Sequence, residues 1–338
     1  MADNKIVSQD FYNEEFKKIF DNSGEARISY SYFLNNYKSI MVRYIANGNP
    51  SKDTKRSYYS AIDNYLNWCS KVNMDPKNIN EQHLLYYRSM LINQDFKPSS
   101  VKFKLTAIRR FYYVLMKYKL IEYNPAVDIH AQKDPDASLP MIKYLTDEQL
   151  ATLINSLSDS SEEELRTKVI ISLMAIEGLR TIEVYRMDEQ DINFPLGIIY
   201  IKGKGHNDYI YPTKTTLNLL KKYIDIRYRI DGTFDFPVFT SLSNNSLGKR
   251  LSRRRIRSHI DEALEKLGLK EPGKSCHMLR HTCGTLLYKE TKDLQVVKEV
   301  LRHKSVEMSS KYAHVQDAML KRYTEAIPIK IKESNEEV

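Results

Sequence analysis

The chain has 338 residues, 42% of them hydrophobic, with no apolar run of membrane-spanning length, which argues against helical membrane spans and predicts a soluble protein of two domains. A net charge of +9 favours polyanionic partners, because neutralising phosphates is the main source of affinity for nucleic acid. Cys69, Cys276 and Cys283 are too sparse for a disulfide framework and fit free thiols in a reducing cytosol, and Met1-Ala2-Asp3-Asn4-Lys5 lacks the charged-then-apolar pattern of a secretory leader.

Residues 1–29 are polar and mixed in charge and read as a short arm. Residues 30–130 read as a bundle of four or five helices. Tyr30, Phe33, Leu34, Tyr37 and Met41 recur at helical spacing, as do Tyr58, Ile62, Tyr65, Leu66 and Cys69 behind a start signal at Ser51 and Asp53. Leu84, Tyr87, Met90 and Leu91 continue the pattern. So do Val101, Leu105, Ile108, Phe111, Tyr112 and Leu115, after an opening Pro98-Ser99-Ser100. Breakers fall at Gly48-Asn49-Pro50 and Asp75-Pro76. Residues 131–144 are polar and contain Pro135, which marks a linker, and the second domain, 145–325, opens on Thr146 and Gln149 as a capping box. That domain reads as helical with one β excursion. Ile198-Ile199-Tyr200-Ile201 runs into a turn at Gly203-Lys204-Gly205-His206-Asn207-Asp208 and returns as Tyr209-Ile210-Tyr211-Pro212. The fold class expected is therefore mainly α with a small β-hairpin, followed by an acidic tail at 326–338.

Chemistry-bearing residues recur in separated strings. Glu177-Gly178-Leu179-Arg180-Thr181-Ile182-Glu183 comes first, then Gly203-Lys204-Gly205. Cys276-His277-Met278-Leu279-Arg280-His281-Thr282 follows, then Leu301-Arg302-His303-Lys304-Ser305 and Lys311-Tyr312-Ala313-His314. Cleaving a phosphodiester without a metal requires cations for the phosphoryl oxygens, an attacking hydroxyl that loses a proton, and an acid for the departing sugar oxygen. Arginine forks match phosphate oxygens bidentately and stay charged. A lysine beside other cations can donate a proton. A phenol, with a pKa near 10, attacks well only beside cations and a base. His277 and Arg280, three residues apart, share a face if helical, and His281 lies one residue off it and reads as structural. A zinc reading of His277 and His281 lacks the glutamate after the first histidine, where Met278 stands, so no metal is expected.

The ordered set resembles the tyrosine recombinase family, which includes phage integrases and Xer-type resolvases, over roughly residues 30–325. The resemblance implies a helical core-binding domain at 30–130, closing on Tyr123-Asn124-Pro125-Ala126, and a catalytic domain at 145–325, the two forming a C-shaped clamp on duplex DNA. The opening stretch is too short for the separate arm-binding domain of many integrases. By position in the family motifs, Arg180 and Arg280 hold the phosphate, and Lys204 protonates the leaving oxygen, with Lys202 a rival. His277 accepts the tyrosine proton or binds a phosphate oxygen. His303 stands where the family has His or Trp, and Tyr312, nine residues on, is the nucleophile. Glu183 belongs to the first arginine motif and is expected to support it. Two departures stand out. The Gly-Lys-Gly string continues as His206-Asn207-Asp208-Tyr209 rather than with basic residues, and Arg302 occupies the usual glycine position, where it alters a helix junction or adds a DNA contact.

The run Lys249-Arg250-Leu251-Ser252-Arg253-Arg254-Arg255-Ile256-Arg257 matches the family helix that enters the major groove, with Arg253, Arg254 and Arg257 as its DNA-binding residues. Lys52, Lys55, Arg56, Lys102, Lys104, Arg109 and Arg110 supply the opposite jaw. The activity implied is site-specific DNA recombination through a 3′-phosphotyrosyl intermediate, without ATP, metal or other cofactor. The implied assembly is a homotetramer on two double-stranded sites, linked by the C-terminal tail, with accessory DNA-bending proteins as further partners and no membrane. The expected location is the cytoplasm, at the nucleoid of a bacterium or a mobile element's host. A type IB topoisomerase and a non-catalytic DNA-binding relative are the alternatives, and the complete residue set weighs against the second.

Overall fold

The computed structural model describes residues 28–133, 142–203, 207–228 and 236–319. Nearly all of the N-terminal arm, much of the linker, Lys204 and the acidic tail lie outside the described residues. The chain divides into two compact units, with the boundary between residues 138 and 139.

The first unit is built on α1 (Tyr30–Met41), α2 (Lys52–Lys71), α3 (Glu81–Asn93) and α4 (Pro98–Lys117). Each start has a local cause. The Ser29 and Ser51 hydroxyls accept the Tyr32 and Thr54 amides, Asn80 and His83 form a capping box, and Pro98 occupies the first turn of α4, where its missing N–H costs nothing. The helical stripes read from the sequence become the core: Phe33, Tyr37, Ile62, Tyr65, Leu84, Tyr87, Val101, Leu105, Ile108 and Phe111 are all buried. Many of the 24 tyrosines are accounted for here. Tyr65 stacks on Trp68, and its hydroxyl meets that of Tyr112, which also donates to the Pro76 carbonyl at 2.9 Å. A buried phenol satisfied in this way adds packing area without an orphaned hydroxyl.

The second unit contains α5 (Asp147–Asn155), α6 (Glu162–Ala175), α7 (Thr181–Arg186), β1 (Ile192–Asn193), β2 (Ile198–Lys202), β3 (Asn207–Ile210), α8 (Lys214–Ile226), α9 (Arg253–Lys266), α10 (Cys276–Thr291), α11 (Leu294–Leu301) and α12 (Glu307–Met319). The fold is mainly α, and α5 opens on the Thr146–Gln149 capping box. α6 is buried on nearly every side from Leu165 onward because it is the central helix, and α8 and α10 pack against it. The sheet is larger than a hairpin. β1 pairs antiparallel with β2, an addition that two residues could not announce by periodicity. The returning strand also starts earlier than expected, at Asn207, because Asn207 and Asp208 pair with Lys202 and Ile201 despite their weak strand preference. Cys69, Cys276 and Cys283 are free and buried. Among the described residues no helix is long and apolar enough to cross a membrane.

Candidate active site

The second unit gathers Arg180, Arg280, His303 and Tyr312 around the Gly178 turn and the C-terminus of α11. Arg180 is the N-cap of α7, and its backbone N–H donates to Glu183 Oε2 at 2.8 Å while its Nη1 donates to Oε1 at 2.8 Å. The surface ion pair that an isolated arginine would make is thus present, but its carboxylate is buried. Burial pushes the Glu183 carboxyl up, yet Arg302 and Arg180 outweigh it and hold it below the ordinary range. Glu177 serves the fold, accepting the Thr213 amide and the Thr213 and Thr216 hydroxyls to anchor the start of α8.

Arg280 comes from the first turns of α10 and is buried. Its Nη1 donates to the Gly178 carbonyl and its Nη2 to the Leu301 carbonyl, tying the first arginine loop to the end of α11. Burial, then Arg180 and Arg302, lower its pKa to about 10, so it remains a cation at neutral pH. Gly178 makes this approach feasible. Its φ is +68°, and an added Cβ would lie 2.6 Å from Leu301 Cδ2. Gly178→Ala is therefore expected to destabilise the protein by about 2 kcal/mol or more, from left-handed strain plus overpacking. Urea unfolding measures this, and an unchanged midpoint would contradict the close approach.

Tyr312 on α12 is wholly buried among Cys283, Val297 and Leu301. A Cβ on Gly284 would meet Tyr312 Cζ at 2.6 Å, so the glycine in α10 admits the ring. His303 stacks on that ring with centroids 6.2 Å apart and planes 5° from parallel, and its Nδ1 lies 2.8 Å from Ser309 Oγ. Tyr312 Oη lies 3.1 Å from His281 Nδ1. His281 is thus the contact that sequence reasoning set aside. One residue off the face of His277 and Arg280, it still meets the phenol. Burial raises Tyr312 to about 12, with Arg280 pulling the other way.

The two histidines on the phenol are held neutral. Burial, then Lys311, lowers His281 to about 4, and burial, then Arg280, lowers His303 to about 3. In the unfolded chain both would titrate near 6.5. From that value down to about 4 the unfolded state binds more protons, so stability falls as pH falls through this window. The urea midpoint is expected to drop over that range and His281→Asn to flatten the slope, whereas an equally steep slope in the variant would contradict a neutral buried ring. His277 is exposed on the opening turn of α10, and partial desolvation with the Arg257 and Arg280 cations lowers it too.

Lys202, the rival lysine, is engaged. Its Nζ lies 2.7 Å from Asp191 Oδ1 and 3.0 Å from Asp188 Oδ2. Burial acts to lower it, but the two carboxylates leave it raised. Arg250 from the basic run also goes inward, to Asp188 and to the Tyr185 carbonyl at 2.8 Å. Arg253, Arg254 and Arg257 are exposed on α9, whose opposite face buries Ile256, Ile260 and Leu264.

In the first unit, Lys52, Arg56, Lys102 and Arg110 are exposed, and Lys55 and Lys104 are half-buried. Arg56 and Lys104 line one open groove of ≈ 550 Å³ with Ser57, Ser60, Ser99 and Ser100, and Lys52, Lys55 and Arg56 line another of ≈ 530 Å³. Arg109 does not join them. Its Nε donates to the Ala126 carbonyl at 3.0 Å and its Nη2 to that of Ile129 at 2.7 Å, so it fastens the closing loop instead of presenting its fork outward.

The Phage integrase family matches residues 143–319, and the phage integrase N-terminal SAM-like domain matches residues 39–122. The tyrosine recombinase XerC of Pelobacter propionicus is 30% identical over 249 residues, 73% of this chain and 79% of that protein. XerC of Thermodesulfovibrio yellowstonii is 29% identical over 268 residues, 78% of this chain and 86% of that protein. The fold is similar to that of the XerH site-specific recombinase in its post-cleavage complex with a palindromic difH substrate. That likeness has a TM-score of 0.67 at 21% identity and covers 86% of this chain and 89% of the other. The chain belongs to the phage integrase family and is a tyrosine recombinase, an enzyme of site-specific DNA recombination.

Proposed function

We propose that Tyr312 is the nucleophile of this recombinase and that Arg180, Lys204, His277, Arg280 and His303 serve its attack on a DNA phosphate. The observation that carries the reading is the shared position of Tyr312, His303 and Arg280 around the end of α11, where Arg280 binds the Leu301 carbonyl and His303 stacks on the phenol. Arg180 and Arg280 neutralise the phosphoryl oxygens as charge grows on them, and preorganised donors of this kind commonly supply most of the rate enhancement. Tyr312 Oη forms a bond to phosphorus, the bond to the 5′ oxygen breaks, and that oxygen takes a proton from Lys204. A 5′ hydroxyl of the partner strand then reverses the step, so the number of phosphodiester bonds is conserved and no ATP is consumed. Because Tyr312 is fully buried, α12 must carry its hydroxyl outward to reach a phosphate. His281 is the first partner the phenol has to leave, and His277, exposed and lowered in pKa, is the neutral base or phosphate donor it meets outside.

Each unit contributes a basic surface for duplex DNA. α9 enters the major groove with Arg253, Arg254 and Arg257, and the grooves lined by Lys52, Lys55, Arg56 and Lys104, with Lys102 and Arg110 beside them, hold backbone phosphates. A tetramer on two sites, exchange through a Holliday junction and action in the bacterial cytoplasm, on a chromosome or a mobile element, complete the reading. They are supported by the chain's likeness to bacterial Xer recombinases. The test begins with a duplex selected from a random-sequence library by binding, then nicked so that cleavage traps the protein. An SDS-resistant adduct formed in EDTA and mapped to Tyr312 is expected. An adduct on Tyr288 or Tyr323, or one that requires a divalent metal, would overturn the assignment.

A further inference from the structure

Arg302 ends α11 in the left-handed region, with φ 52° and ψ 52°. A non-glycine residue there is strained by about 1–3 kcal/mol, so some other interaction of the side chain offsets the cost. That side chain does not face solvent. It is 6% exposed, its Nη2 lies 2.8 Å from Glu183 Oε2, and its Nη1 donates to the Val300 carbonyl at 2.9 Å. Nη2 also lies 3.4 Å from the Gly178 carbonyl, which Arg280 binds as well. Glu183 is 3% exposed and shared by two arginines, of which Arg180 is the accessible one at 35%.

We infer that Arg302 is a positioning residue for strand cleavage, holding one oxygen of Glu183 so that Arg180 keeps a net positive charge for the phosphate. The inference rests on the assignment of Arg180 to the scissile phosphate. Without Arg302, the buried carboxylate and Arg180 form a neutral pair. Glu183 Oε2, relieved of one donor, would draw the Arg180 fork inward. With Arg302 the trio carries a single positive charge, and Arg180 is its exposed end. Contact between Arg302 itself and DNA would require breaking a buried pair, which is costly because it strands the carboxylate.

Glycine is the natural test. It is the residue best suited to the left-handed end of a helix, so Arg302→Gly keeps the backbone junction while removing the guanidinium together with its stem. With the selected nicked duplex in single-turnover reactions, Arg302→Gly is expected to slow adduct formation about 10- to 100-fold with DNA affinity held, the signature of an interaction used in the transition state. Arg302→Lys should recover part of the rate, since charge returns without the planar fork. Glu183→Gln combined with Arg302→Gly should also recover part of it, since the uncompensated carboxylate is then gone. Thermal midpoints identify any loss due to unfolding, in which case the Arg302→Lys rate decides. A wild-type rate in Arg302→Gly, or a double variant no faster than Arg302→Gly alone, overturns the inference. An adduct that persists in Tyr312→Phe would instead overturn the site assignment beneath it.

Discussion

Tyr312→Phe is expected to form no covalent adduct with DNA while binding the same duplex as tightly as the unaltered protein. Only the hydroxyl is removed, and the ring still fills the space beside Gly284, Val297 and Leu301. The lost contact is a single hydrogen bond to His281, worth about 0.5–1.5 kcal/mol net, so the variant stays folded. Denaturing gels after incubation with the nicked duplex read the adduct, and gel shift reads the affinity. Cleavage that survives in the variant would exclude the phenol from the chemistry.

Arg280→Ala is expected to have the second large effect, differing in kind from that of Arg180→Ala. Both remove a donor expected on the scissile phosphate, which costs roughly 10²- to 10³-fold in rate for a preorganised donor. Arg280 is also a structural tie. Its loss strands the buried Leu301 carbonyl, at about 1–3 kcal/mol, and leaves the Gly178 carbonyl only the longer bond from Arg302. Arg280→Ala should therefore lose both rate and stability, and Arg280→Lys should restore only part of each, because one ammonium cannot reproduce two divergent bonds. Arg180→Ala should lose rate with its urea midpoint nearly unchanged, because Glu183 keeps Arg302 as a partner. Equal midpoints for Arg280→Ala and the unaltered protein would show that the buried bonds contribute little.

The contrast between these two arginines marks where the sequence stops informing. Their motifs announce both alike, as cations at fixed places in the chain. Only their surroundings separate an accessible fork on a helix N-cap from a buried one that pins two carbonyls. Arg109 and Lys202 make the same point in reverse. Each read as a basic group near DNA or the reaction, and each is engaged within the protein, by backbone carbonyls or carboxylates contributed from other parts of the chain.

Helix periodicity, the capping residues and the glycine turns are local properties, and they sufficed for the helical first unit, the capping box at Thr146 and the order of the reactive motifs. The two-residue strand β1 is too short to show a period, whereas the contact between His281 and Tyr312 and the capture of Arg302 by Glu183 depend on segments brought together across long stretches of chain. His281 and Tyr312 are 31 residues apart, and Glu183 and Arg302 are 119 apart. Spacing along one helix states which residues share its face but not what that face meets. That pairing is settled by packing, which chooses the neighbour and, through burial, the charge that each group can carry.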